Sequence, residues 1–127
     1  MAGLYQYSAG EAPTAVHGIL TLTDNGIVLQ LYGGTHEHVG SVVVSTPAAT
    51  IRDPGKIRAT SSMINLPPHM DDLVARPAAE RLAMLFMTSV VCVAGLHVDD
   101  ATKAEIEEMV KNAETVVEQL VCMVNNR

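Results

Sequence analysis

The stretch Leu66-Pro67-Pro68-His69-Met70-Asp71-Asp72 constrains this chain most. Proline has no N–H to give to a sheet, so an extended segment that reaches Pro67 ends there. Asp71 or Asp72 can then cap a helix, and a helical pattern follows at once over about residues 72–88, with Ala75, Ala78, Ala79, Leu82, Leu85 and Phe86 on its apolar stripe. A valine-rich segment, 89–96, comes next and reads as a strand. Strand, helix and strand in succession predict a right-handed parallel crossover, with the loops after its two strands emerging side by side.

The segments around this unit read as follows. Residues 1–13 carry little periodicity and suit a short strand or a loosely held arm. Residues 15–23 alternate, Asp24-Asn25-Gly26 makes a hairpin turn, and 27–32 returns as a second strand. Val39-Gly40-Ser41-Val42-Val43-Val44 reads as a buried third strand, 46–57 as a loop, and 59–66 as a fourth strand. Pro77 falls inside the first helix and predicts a kink. The last helix opens on the capping box Thr102-Lys103-Ala104-Glu105 and keeps an amphipathic stripe from Ile106 to Val124. The expected fold is α+β: one mixed, mainly antiparallel sheet of about five to six strands, with two helices packed on it, in a single domain.

Composition narrows the function. The net charge of −6 and an aromatic content of 3% argue against nucleic acid, which needs a basic footprint and usually stacking surfaces. No apolar run has the length of a membrane span, and no signal peptide is legible, so a cytoplasmic location is expected. Cys92 and Cys122 lie in apolar segments and read as free buried thiols. The 48% apolar content, with sheet edges that one small domain leaves uncovered, predicts a homodimer.

Four of the five histidines fall at expected strand–loop junctions: His36 and His38 behind Gly33-Gly34, His69 before Asp71-Asp72, and His97 before Asp99-Asp100. Each alone is most simply a polar loop residue or cap. Together they supply nitrogen and oxygen donors of the kind that hold a divalent cation. Paired glycines allow close backbone approach and can expose N–H groups to an anion. Arg52, Lys56 and Arg58 form a cationic run in an acidic chain, suited to a phosphate or an acidic partner. The Thr60-Ser61-Ser62 hydroxyls can bond a polar ligand. His17 sits in mid-strand and reads as structural.

Gly33-Gly34 with His38-Val39-Gly40, then Pro68-His69-Met70-Asp71-Asp72, then Ala94-Gly95-Leu96-His97-Val98-Asp99-Asp100-Ala101 resemble one family. It is that of the prenylated-FMN chaperones, the small D subunit of gallate-decarboxylase-type systems. The resemblance runs from about Thr14 to Val121, departing at Pro68, where a glycine is expected, and at Pro77. It implies a non-enzymatic accessory protein that carries reduced prenylated FMN from a flavin prenyltransferase to a UbiD-type (de)carboxylase and binds plain FMN more weakly. It implies His38, His69, Asp71, Asp72 and His97 as a ligand or metal site. Gly33, Gly34, Arg58 and Ser61 join His38, His69 and His97 as expected cofactor contacts, since the flavin phosphate needs a positive partner, either basic residues or a metal. Met63, Leu66, Met70 and Leu96 are candidate apolar walls.

Two other classes compete. A small metal-dependent hydrolase or lyase can use the same ligands with Glu80 or Asp72 as general base. However, no HExxH helix, Gly-x-Ser-x-Gly elbow or phosphate loop is present. The third reading is a cofactor-free accessory subunit of a decarboxylase.

Overall fold

The computed structural model describes residues 3–67 and 71–127. The strands are β1 (Gly3–Ala9), β2 (Val16–Thr23), β3 (Gly26–Gly34), β4 (Ser41–Ala49), β5 (Ile57–Asn65) and β6 (Val90–His97). The helices are α1 (Asp72–Phe86), between β5 and β6, and α2 (Lys103–Asn125), after β6. The sheet order is β1-β2-β3-β6-β4-β5, and among the described residues only the β3–β6 pair is parallel. The α+β expectation holds, with six strands, and the undecided N-terminal segment supplies an edge strand.

One row of side chains shows where the core sits. Leu20 pairs with Leu29, Leu29 with Cys92, and Cys92 with Val43, which carries the row across β2, β3, β6 and β4. All four residues are fully buried. Successive side chains alternate between faces, so this row defines the covered face. Helix α1 lies over β4, β5 and β6, and α2 lies over β1 and β2. The buried α2 stripe runs Met109, Ala113, Val116, Val117, Leu120, Val121 and Val124. Ile106 and Val110, expected to share it, are exposed. Among the described residues both helices lie on this one face of the sheet.

Several expectations need correction. The strands flanking α1 are not neighbours: β4 is inserted between β5 and β6, antiparallel to both. The crossover therefore skips a strand, and the sheet gains hydrogen bonding on both sides of the Val42-Val43-Val44 run. Val43 is buried, but Val44 is 40% exposed, so β4 is buried on one face only. The expected loop at 46–57 shrinks to the turn between Ala49 and Ile57. Pro47 sits in β4 beyond Ser45, the last residue paired with β6, where its missing N–H costs no ladder bond on that side. The stretch from Thr46 to Thr60 is thus a two-stranded arm reaching past the sheet, with Ile51 98% exposed near its tip. Helix α1 does begin at Asp72, as expected, and continues through Pro77. Cys92 is buried, and burial pushes its thiol up to about 12, whereas Cys122 is exposed rather than buried. No helix among the described residues is long and apolar enough to cross a membrane.

Candidate functional site

The ends of β3 and β6 lie side by side because those strands are parallel and in register, with Gly34 opposite His97. The segment after β3 then folds back over β6. The His97 carbonyl accepts from the Thr35 N–H at 2.7 Å and the His36 N–H at 3.3 Å, and the Ala94 carbonyl accepts from the Gly40 N–H at 2.9 Å. This path requires Gly95, since a Cβ there would collide with the His38 carbonyl. Gly34 is held at φ +82° against the His97 carbonyl. The glycine pair therefore serves close packing of chain on chain. Gly34 N–H is committed to the Ala15 carbonyl at 3.1 Å, and a Cβ on Gly33 would strike the same carbonyl. The anion-binding role expected of that N–H is already taken.

Two carboxylate–imidazole groups result. Asp71 is 9% exposed and closes the inner one. It stands at the N-cap position of α1, yet its side chain does not cap the helix. One carboxylate oxygen accepts from the Leu96 N–H at 3.1 Å, and the other meets His38 Nε2 at 3.1 Å. His38 Nδ1 faces the His36 carbonyl at 3.2 Å. Asp71 therefore ties the start of α1 to β6 and to the folded-back segment.

The outer group stands in solvent. Asp99 accepts from His36 Nε2 and from His97 Nε2, at 3.0 Å each. The two imidazole rings lie 5.9 Å apart, centre to centre, and the His38 ring lies 6.4 Å from that of His97. Thr35 Oγ1 takes the Asp99 N–H at 3.1 Å and donates to the His97 carbonyl, which locks the two loops together. The His97 N–H, then the His36 N–H, hold the Asp99 carboxyl below the usual aspartate range. Exposed apolar residues, Val39 and Leu66, flank this corner, and the Leu66 N–H bonds the Gly40 carbonyl at 2.8 Å.

The expected site residues divide accordingly. His38, His97, Gly33, Gly34 and Asp71 gather at this corner. His69, with Pro68 and Met70, lies outside the described residues, so the expected meeting of the His69 and His97 loops falls there too. Arg58 is placed elsewhere: it pairs with Ala48 on the projecting arm, while Asn65 at the opposite end of β5 pairs with Ser41. Seven residues of strand separate those ends, roughly 23 Å. Ser61 is held by Ser45 Oγ at 2.7 Å and by Glu80 at 2.5 Å, and Glu80 also pairs with Arg76 at 3.1 Å. That network braces α1 against β4 and β5, which occupies Glu80, the expected alternative base. Of the wall candidates, Leu96 packs against the core and Met63 is 41% exposed.

The metal expectation fits poorly. Among the described residues no three His, Cys, Asp or Glu side chains are arranged to hold one ion. Asp71 is taken by an imidazole and a backbone N–H, and His97 Nε2 faces Asp99. Asp72 does not join them, and its Oδ1 is buried with no hydrogen-bond partner among the described residues.

Sequence reading placed His36 and Asp99 in the donor-bearing stretches but did not single them out among the individual ligand positions. The available signal was the pairing of His97 with an aspartate two residues on, the same spacing that separates His69 from Asp71.

The family model described as the prenylated flavin chaperone LpdD-like domain matches residues 10–125. Protein LpdD of Lactiplantibacillus plantarum is 24% identical over 115 residues, 91% of this chain and 81% of the relative. A chain from the crystal structure of a chaperone complex for yeast 20S proteasome assembly superposes with a TM-score of 0.61. It covers 98% of this chain and 96% of its own, at 13% identity, and so speaks for the fold alone. With the family match spanning nearly the whole sequence, the chain belongs to the prenylated flavin chaperone LpdD-like family.

Proposed function

We propose that this protein holds reduced prenylated FMN at the corner formed by His36, His38, His97 and Asp99, and passes it unchanged to a UbiD-type decarboxylase. A flavin prenyltransferase supplies the cofactor, and plain FMN binds more weakly. The observation that carries this reading is the Asp99-bridged imidazole pair, standing exposed at the paired ends of β3 and β6 in a member of a flavin chaperone family. Such a pair can exchange its internal hydrogen bonds for bonds to the polar edge of a flavin. Val39 and Leu66 offer apolar contact beside it. The cofactor contributes the decarboxylase chemistry only after transfer. Before transfer, the chain's residues bind, orient and shelter it. Arg58, on the far arm, has no part in this arrangement, and neither does Ser61.

The test is anaerobic incubation with reduced prenylated FMN, followed by melting, absorbance and mass analysis of the bound and released ligand. At a ligand concentration near 100 times the dissociation constant, binding stabilises the fold by about 2.7 kcal/mol, a melting shift of several degrees. His97→Ala and His36→Ala remove most of that shift, and Arg58→Ala leaves it intact. A ligand released chemically altered would support the hydrolase or lyase reading instead. Absence of any shift would leave the cofactor-free accessory subunit.

A further inference from the structure

The six strands contain a single Lys, Arg, Asp or Glu, which is Arg58 on the projecting arm. The whole chain carries eight Lys and Arg and fourteen Asp and Glu. A sheet with one face in water ordinarily alternates apolar residues with polar and charged ones, whereas a strand buried on both faces reads as a continuous apolar run. Val42-Val43-Val44 in β4 and Val90-Val91-Cys92-Val93 in β6 read as the second kind. Among the described residues, the helices of one copy cover only one of their faces. On the other stand Ile19, Val28, Val42, Val44, Val91 and Val93, with Val28 37% and Val44 40% exposed.

We propose that this open sheet face is covered by the same face of a second copy, in a two-fold sheet-on-sheet dimer with α1 and α2 outermost on both sides. Six strands about 4.8 Å apart and about 20 Å long give roughly 600 Å² in plan. Side-chain relief brings this near the roughly 800 Å² of accessible surface that each partner contributes to a standard interface. Register also puts Gln6, Ser8, His17, Thr21, Gln30 and Ser62 on this face, so it joins an apolar centre on β3, β6 and β4 to uncharged polar groups nearer the edges, as an interface core and its rim do. Charge favours a second copy in particular. At net −6, two copies repel each other wherever acidic side chains meet, and this is the broad surface from which acidic side chains are missing. Identical sheets share one twist, so their faces mate in the aligned packing of β-sandwiches. A two-fold axis makes such a patch complementary to itself. The expected cause of dimerisation, uncovered sheet edges, is thereby replaced by an uncovered face.

Sedimentation equilibrium on the full chain without flavin tests this apart from cofactor binding. At tens of micromolar, a range chosen between the affinity regimes, the wild type should run at twice its 13.5 kDa mass. Val44→Glu and Val28→Glu should run as monomers with the wild-type circular dichroism spectrum. Val110→Glu changes a residue of matching exposure on α2 and should remain a dimer. The milder Val44→Thr decides the matter if the glutamate variants fail to fold: it should raise the dimer dissociation constant about tenfold or more. A monomeric wild type overturns the proposal, as does a folded Val44→Glu dimer or a Val44→Thr dimer of unchanged affinity. A monomeric wild type that buries Val44 only against a decarboxylase would assign the face to that partner instead.

Discussion

Asp71 and Asp99 each bind histidine, and they do different work. Asp71 is buried, and its two oxygens hold a ring and a backbone N–H that belong to distant parts of the chain. Asp99 is exposed and holds two rings that are themselves exposed. A buried carboxylate that loses its partners leaves uncompensated groups behind, while an exposed pair merely exchanges protein contacts for water. The inner group is therefore architecture, and the outer group is the chemistry that solvent and ligand can reach. Residue type and spacing make the two look alike in the sequence, and burial separates them.

The largest effect should come from the glycine beneath the inner group. In Gly95→Ala the new Cβ meets the His38 carbonyl, a backbone atom that cannot rotate away. The folded-back segment must shift and release the Asp71–His38 contact. A loss of about 4 kcal/mol or more is expected, seen as a fall in melting temperature beyond about 10 °C. Gly55→Ala, on the open arm, should be close to neutral. If both variants melt alike, the segment is not packed against β6 as described. Asp71→Ala ranks next, at about 3 kcal/mol, because the Leu96 N–H and His38 lose their acceptor in a buried place. Its cost comes from those contacts and not from a lost helix cap, since the side chain does not cap α1. Chemical denaturation of Asp71→Ala beside Asp99→Ala tests the comparison directly. Equal losses would break it.

Parts of this arrangement were legible in the sequence. The capping box at Thr102 and the stripe from Met109 to Val124 announced α2, and the alternation over 15–23 with the turn at Asn25-Gly26 announced the β2–β3 hairpin. These are local signals, in which the interacting residues lie within a few positions of one another. The place of β4 is not local. It precedes β5 in the chain yet lies between β5 and β6 in the sheet, and a valine run states that a strand is central without stating which neighbours it has. The Asp71–His38 contact spans 33 positions, so capping, a local rule, claimed Asp71 first. Arg58 and Ser61 were drawn toward the site by charge and hydroxyl content. Register along β5 carries Arg58 to the far end and turns Ser61 toward Glu80.

The smallest effect should be the pH dependence of Asp99, and its sign sharpens the contrast with Asp71. The N–H groups of His97 and then His36 favour the ionised carboxylate, so the folded protein keeps Asp99 charged to lower pH than the unfolded chain, where the ordinary value is 3.8. A group whose folded value is depressed contributes stability at pH values above its unfolded value, and that contribution is lost as pH falls through the folded value. The melting-temperature gap between wild type and Asp99→Asn should therefore be open at about pH 5 and close as the pH drops through and below the ordinary aspartate value. The gap should stay small throughout, because the carboxylate is largely exposed, and it should shrink further in added salt. Carbon-detected titration of the Asp99 carboxyl gives the same answer directly, with a midpoint below that of an unstructured aspartate. A midpoint at or above the ordinary value, or a gap that widens as acid is added, would show that the two imidazoles do not donate to this carboxylate in solution.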